Sequence, residues 1–152
     1  MLSKYFGLLG LGVVFVTGLD LMTKFTAQKY LPVPVYFKGG FALELTRNEN
    51  LAFGLSLPYP LIISLSVLAL VFLGFIFWQA KPSQGLIFSG IFIFGGAFGN
   101  LLERLLWGSV TDFLKIPVFP NFNLADAALT AGVLLFFYSS YKASRAELKE
   151  CR

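Results

Sequence analysis

The sequence predicts an all-α membrane protein: four transmembrane helices, with a small β-rich extracytoplasmic segment between the first and second. Three observations carry this. Apolar residues make up 57% of the 152, Phe alone occurs 18 times, and the mean hydropathy is +0.75, more than a soluble core of this size uses. The apolar residues gather in four runs, Tyr5 to Met22, Leu61 to Trp78, Leu86 to Leu102 and Leu124 to Tyr141, each near the roughly 17 to 25 residues that a spanning helix needs. Between the first two runs lies a stretch too polar to span and too patterned to be a slack linker. Residues 1–152 read as one integral membrane domain.

Lys4 followed by the first run imitates a signal peptide, but Thr17 and Leu19 make a poor small-x-small cleavage site, and Asp20 follows at once. A retained anchor is predicted. Asp20 and Lys24 stand at i and i+4 in the favoured order. One reading has them mark the membrane interface. Another puts Asp20 at the rim of a polar pocket, with Lys24 meeting a lipid phosphate.

In the segment from about residue 30 to 57, Val33 to Phe37 reads as extended and Gly39-Gly40 as a turn, and Phe41, Leu43 and Leu45 alternate with Ala42, Glu44 and Thr46. Pro32, Pro34, Pro58 and Pro60 bound it and keep helices from running through. A small hairpin or sheet on the membrane surface is predicted.

The third run continues to Trp107 before Gly108 stops it, giving a span over 86–107. Within it Gly95, Gly96, Ala97 and Gly99 form a small-residue face that lets another helix approach closely. Asn100, Glu103 and Arg104 share a face at its end, where a structural polar cluster and a catalytic one both fit, and the adjacent Glu103 and Arg104 should reach for different partners. Trp78, Trp107 and Tyr141 sit near span ends, where amphipathic rings favour the interface. Four spans put both termini on one side. The 12 basic residues divide evenly between the two sides, so the basic tail, with Lys142, Arg145, Lys149 and Arg152, is what favours cytoplasmic termini.

With 13% charged residues, the net charge of +4 is no nucleic-acid footprint. The chain has no His and one cysteine, Cys151, so a Ser-His or Cys-His nucleophile, an H-E-x-x-H zinc site and an intrachain disulfide are all excluded, and no metal or cofactor is expected. Carboxylates are then the natural acid and base of any enzyme built here. Asp112 and Asp126 bracket the connection between the last two runs and form the best pair. Asn123 with Asp126 three positions on is equally the signature of a helix start, whereas Asp112 has no such local explanation.

Taken together, Asp20-Leu-Met-Thr-Lys24, Asn48 with Ala52-Phe53, Gly95-Gly-Ala-Phe-Gly-Asn-Leu101, Arg104, Val110-Thr-Asp-Phe113 and Asn123-Leu-Ala-Asp126 resemble lipoprotein signal peptidase, the type II signal peptidase of bacteria. The ordered set runs through nearly the whole chain. The resemblance implies an aspartic endopeptidase of the bacterial inner membrane that removes the signal peptide of a prolipoprotein just before its diacylglyceryl-modified cysteine. It puts Asp112 and Asp126 on the catalytic dyad, and Asp20, Asn48, Asn100, Arg104, Asn123 and Ala125 on positions that line or brace a site near the outer face. The strand-like segment would be the periplasmic cradle, and the partners would be the lipidated substrate and membrane lipid, with the enzyme a monomer. The chain departs from the family pattern in having Glu103 where Asp is usual, and Asn50-Leu51 where glycine and a small residue are usual.

On this reading water attacks the scissile amide with no covalent intermediate, because two close carboxylates share one proton, one member acting as base and the other as acid. Lys24 or Arg104 would meet the phosphate of a neighbouring lipid. The alternatives are a proton- or cation-coupled carrier using Asp20 and Asp126 as a relay, and a relative that binds lipopeptides without cutting them.

Overall fold

The computed structural model describes residues 2–50, 56–79 and 83–150. Its elements are α1 (Leu2–Tyr30), β1 (Val35–Tyr36), β2 (Ala42–Asn48), α2 (Tyr59–Gln79), α3 (Gln84–Trp107), β3 (Val110–Lys115) and α4 (Leu124–Glu150). Among the described residues four helices are long and apolar enough to cross a membrane: Tyr5–Tyr30, Tyr59–Gln79, Gln84–Trp107 and Leu124–Ala146. The chain is a multi-pass membrane protein. Large side chains such as Phe15, Val71, Phe72, Phe75 and Phe137 face outward, as a lipid solvent allows.

α3 is the central helix. Some 61% of its span is buried, against 6% to 17% in the other three. Its small-residue face does what the sequence predicts: a Cβ on Gly95 would lie 2.6 Å from Val16 of α1, one on Gly96 would strike the carbonyl oxygen of Ala125, and one on Gly99 would lie 2.5 Å from Oδ2 of Asp20. Three glycines within five residues of α3 thus let α1 and α4 approach its backbone closely. Ser83 caps the start of α3, its hydroxyl accepting from the Leu86 N–H. At the other end Gly108 adopts φ 76° and donates its N–H to the Arg104 carbonyl, a left-handed cap that turns the chain back along the helix.

α1 runs past the predicted end at Met22 to Tyr30. Asp20 and Lys24 do not end the span, because both turn inward onto α3 and are satisfied there. The helix stops where Pro32 restricts the residue before it.

β1 and β2 form the predicted hairpin, with Gly39 and Gly40 at positive φ in the turn and the Phe37 N–H closing on the Phe41 carbonyl. The sheet has a third strand that the sequence reading leaves as loop. β3, carrying Asp112, pairs antiparallel with β2 in the order β1-β2-β3, with Thr46 opposite Asp112 and Arg47 opposite Thr111. β3 in turn bridges Phe122. The β-rich segment is therefore closed by a strand from between α3 and α4, not by residues between α1 and α2 alone.

Leu51, Ala52, Phe53, Lys81 and Cys151 lie outside the described residues.

Candidate active site

β3 and α4 each present one aspartate to a common space. Asp112 is 2% exposed. Its Oδ1 accepts from the Asn123 side-chain amide at 2.6 Å and its Oδ2 from the Asn48 amide at 3.0 Å. Burial pushes its carboxyl up to about 6; the bond from Asn48 opposes this, the charge of Asp126 adds to it, and the Asn123 bond and Lys24 oppose it.

Asp126 stands in the first turn of α4. Its main-chain N–H donates to Oδ1 of Asn123 at 2.9 Å, while its Oδ2 accepts from the Asn123 N–H at 3.2 Å, a reciprocal helix-start arrangement. The helix-start reading and the catalytic reading of Asn123 and Asp126 are thus compatible in one geometry. Oδ1 of Asp126 takes the Asn100 amide at 2.9 Å.

Asn123, fully buried, links the two carboxylates: the same side-chain nitrogen reaches Asp112 and, at 3.2 Å, the Asn100 oxygen. That oxygen also accepts from Lys24 Nζ at 2.8 Å. With its oxygen occupied by two donors, the Asn100 amide nitrogen can only face Asp126.

Lys24 is 1% exposed, and its ammonium meets Asp20 at 2.8 Å and Glu103 at 3.0 Å besides Asn100. Three acceptors match its three donors. This corrects the lipid-phosphate role for Lys24: an ammonium enclosed on all sides by its own chain has no face left for a headgroup. Asp20 in turn uses Oδ1 to accept the Ala125 N–H at 2.8 Å, binding α1 to the start of α4. Glu103 and Arg104 do reach for different partners. Glu103 takes Lys24 and Thr111, whereas Arg104 donates from Nη2 to the Asn50 carbonyl at 3.0 Å and lines the site.

The ten candidate site residues named from the sequence, Asp112 and Asp126 with their eight supporting positions, are therefore in one connected cluster, Arg104 joining through Asn50 and Asn48. Three that the sequence reading does not name as site residues join them. Thr111 bonds Glu103, Gln28 bonds Thr111, and the Tyr59 hydroxyl donates to the Arg104 carbonyl at 2.6 Å. Gln28 had a visible signal, four residues beyond Lys24 and eight beyond Asp20 on the same helical face; Tyr59 had none.

Asp112 and Asp126 line a cavity of about 1220 Å³. Its long walls are apolar, with Leu70 and Leu73 of α2, Leu129 and Leu134 of α4 and Phe119 of the α3–α4 connection, while polar groups gather at the aspartates with Thr46, Asn48 and Asn100. Such a space has room for a long apolar ligand and holds a pair of carboxylates at its polar end.

A sequence profile of the family described as signal peptidase (SPase) II matches residues 12–142. The lipoprotein signal peptidase of Sulfurihydrogenibium sp. (strain YO3AOP1) is 36% identical over 150 residues, covering 90% of this chain and 91% of the relative. That of Caldicellulosiruptor bescii is 38% identical over 133 residues, covering 86% and 88%. A solved structure described as a bacterial membrane enzyme, determined by the in meso method at 2.3 Å, superposes with a TM-score of 0.80 at 28% identity over 91% of this chain and 90% of that one.

Proposed function

Because the chain belongs to the signal peptidase (SPase) II family of aspartic-type peptidases, we propose that Asp112 and Asp126 are the dyad with which it cleaves lipoprotein signal peptides. The observation that carries the reading is Asn123, whose one side chain and backbone N–H hold both carboxylates against the same cavity.

The two environments divide the work. Asp112 is buried in a strand beside a second carboxylate, so it holds the shared proton and donates it as a hydrogen bond to the scissile carbonyl. Asp126 is partly exposed in the first turn of α4 and faces the cavity, so it is the member that takes a proton from the attacking water. The tetrahedral intermediate collapses with proton transfer to the leaving amine. Lys24, Asn100 and Asn123 orient the carboxylates from behind.

The substrate is a prolipoprotein cut immediately before its diacylglyceryl-modified cysteine, with acyl chains along the apolar cavity walls. The dyad lies beside the three-stranded sheet, which fits a site near the extracytoplasmic face of the bacterial inner membrane, with both termini cytoplasmic. The carrier alternative fits poorly with Asp20, which is fully buried and closed on Lys24 and Ala125. The test is to incubate purified protein in detergent with a diacylglyceryl-modified prolipoprotein, beside Asp112→Asn and Asp126→Asn. Wild type cleaves before the lipidated cysteine and neither variant does. Unchanged cleavage by both variants overturns the dyad, and binding without cleavage by wild type supports the non-catalytic relative.

A further inference from the structure

β3 is held on two sides. Toward β2 it has its ladder; on its other edge the N–H groups of Thr111 and Phe113, alternate residues of the strand, face α3 and the α3–α4 connection. Phe113 donates to the Phe122 carbonyl at 3.0 Å. On that edge Thr111 meets no strand among the described residues, and a buried N–H left without a partner is costly. The Glu103 carboxylate takes the place of the missing strand.

That carboxylate grips Thr111 twice. Oε2 accepts the Thr111 N–H at 2.9 Å and Oε1 accepts its hydroxyl at 2.6 Å, with Glu103 2% and Thr111 3% exposed. The Thr111 hydroxyl oxygen accepts in turn from the Gln28 amide at 2.6 Å, and Oε2 of Glu103 also meets Lys24. One residue before Asp112, α1, α3 and β3 are therefore pinned to a single point.

We propose that Thr111 is a positioning residue for Asp112, acting through the paired grip of Glu103 and assisted by Gln28. Successive strand residues point to opposite faces, so fixing Thr111 by main chain and side chain fixes the direction in which Asp112 enters the cavity. Asp112 then meets both of its donors, Asn48 on β2 and Asn123 before α4, at 3.0 and 2.6 Å. Without the grip β3 keeps its ladder, but the strand can rotate about it at Asp112. Glu103 suits this task by length, since its carboxylate spans both groups of Thr111 while still touching Lys24. The inference rests on the reading of Asp112 as half of the dyad.

The charged groups around Asp112 are Asp126 on α4, Lys24 on α1 and Arg104 on α3. None of them is altered by replacing Thr111. Loosening the strand weakens the bonds from Asn48 and Asn123, which favour ionised Asp112, so the alkaline limb of the pH profile should move upward.

The experiment compares kcat, KM and the pH profile of kcat/KM for wild type, Thr111→Val, Thr111→Ser, Gln28→Leu, the Thr111→Val/Gln28→Leu double variant and Asp112→Asn on the lipidated prolipoprotein. Thr111→Val keeps shape and N–H but loses the hydroxyl; kcat falls about 10- to 100-fold with KM little changed, as a misplaced group gives, and the alkaline limb rises. Thr111→Ser restores kcat, Gln28→Leu has a smaller effect, and the double variant is no worse than Thr111→Val because both act at one hydroxyl. Wild-type kcat and pH profile in Thr111→Val overturn the proposal, as does a loss that Thr111→Ser fails to restore or one confined to KM. If Asp112→Asn still cleaves, the dyad reading itself falls. If Asp112→Asn is inactive while Thr111→Val behaves as wild type, only the positioning role falls.

Discussion

Asp20, deep in α1, caps the main chain of Ala125 at the start of α4: its Oδ1 accepts the Ala125 N–H at 2.8 Å, and both residues are fully buried. A helix start is ordinarily capped from its own sequence. Here Asn123 serves Asp126, and a carboxylate from another helix, 105 residues away, serves Ala125. Its negative charge also meets the positive end of the α4 dipole.

Removing that carboxylate separates two roles. Asp20→Ala should cost about 3 to 5 kcal/mol, because it leaves Lys24 short of a partner and Ala125 N–H orphaned in a buried site. Asp20→Asn keeps an acceptor for Ala125 and should cost less. Thermal unfolding of the two variants in detergent checks the order, and equal losses would show that the cap contributes nothing.

Lys24→Met keeps the length of the side chain and removes its charge, leaving Asp20 and Glu103 buried without their cation. A loss of about 3 to 5 kcal/mol is expected, with activity reduced through the freed Asn100 amide. The Lys24→Met/Asp20→Asn double variant should recover part of the stability, since fewer charges are then stranded. A double variant as unstable as the sum of the two singles would count against the ion pairs.

Gly99→Ala places a methyl group 2.5 Å from Oδ2 of Asp20, a carboxylate that Lys24 holds through Oδ2 and Ala125 through Oδ1, so that it cannot swing aside. Overpacking of about 1 to 3 kcal/mol is expected. By contrast, Gly74→Ala on α2 meets no atom within 4 Å and should leave the melting temperature near that of wild type. Equal melting temperatures for the two variants would contradict this close approach.

The Asp112 carboxyl, raised to about 6, makes two pH predictions. Between its ordinary value of 3.8 and about 6, the native protein holds a proton that the unfolded chain has released, so stability from this group is complete below that window and is lost as pH rises through it. If Asp112 is the general acid, as proposed, proton loss also removes it, so kcat/KM should fall as pH rises beyond about 6. Asn48→Ala removes a bond that favours the ionised carboxylate and should move that fall to higher pH. A shift to lower pH would reverse the assigned proton holder.

Four helices, the hairpin and the small-residue face were legible because each is written in local periodicity or in spacing along one helix. The cluster Asn100, Glu103 and Arg104 was legible for the same reason. β3 was not, since a six-residue strand next to a helix cap is defined by its pairing with β2, more than 60 residues earlier. The burial of Lys24 was hidden too. The hydropathy of α1 falls at Asp20 whether the charges face water or one another, and it is the partners on α3 and α4, with the space left by the missing Cβ of Gly99, that hold them facing inward.

The site draws on Lys24 of α1, Asn48 of β2, Asn100 of α3, Asp112 of β3 and Asp126 of α4, five elements spread from one end of the chain to the other. A ribosome makes these in order. Until Asp126 has been synthesised the proposed dyad has one member, and until α4 has docked, Asp20 has no Ala125 N–H to accept. On the proposed reading a nascent chain therefore carries no complete dyad, and proteolytic competence would arrive only with the final helix.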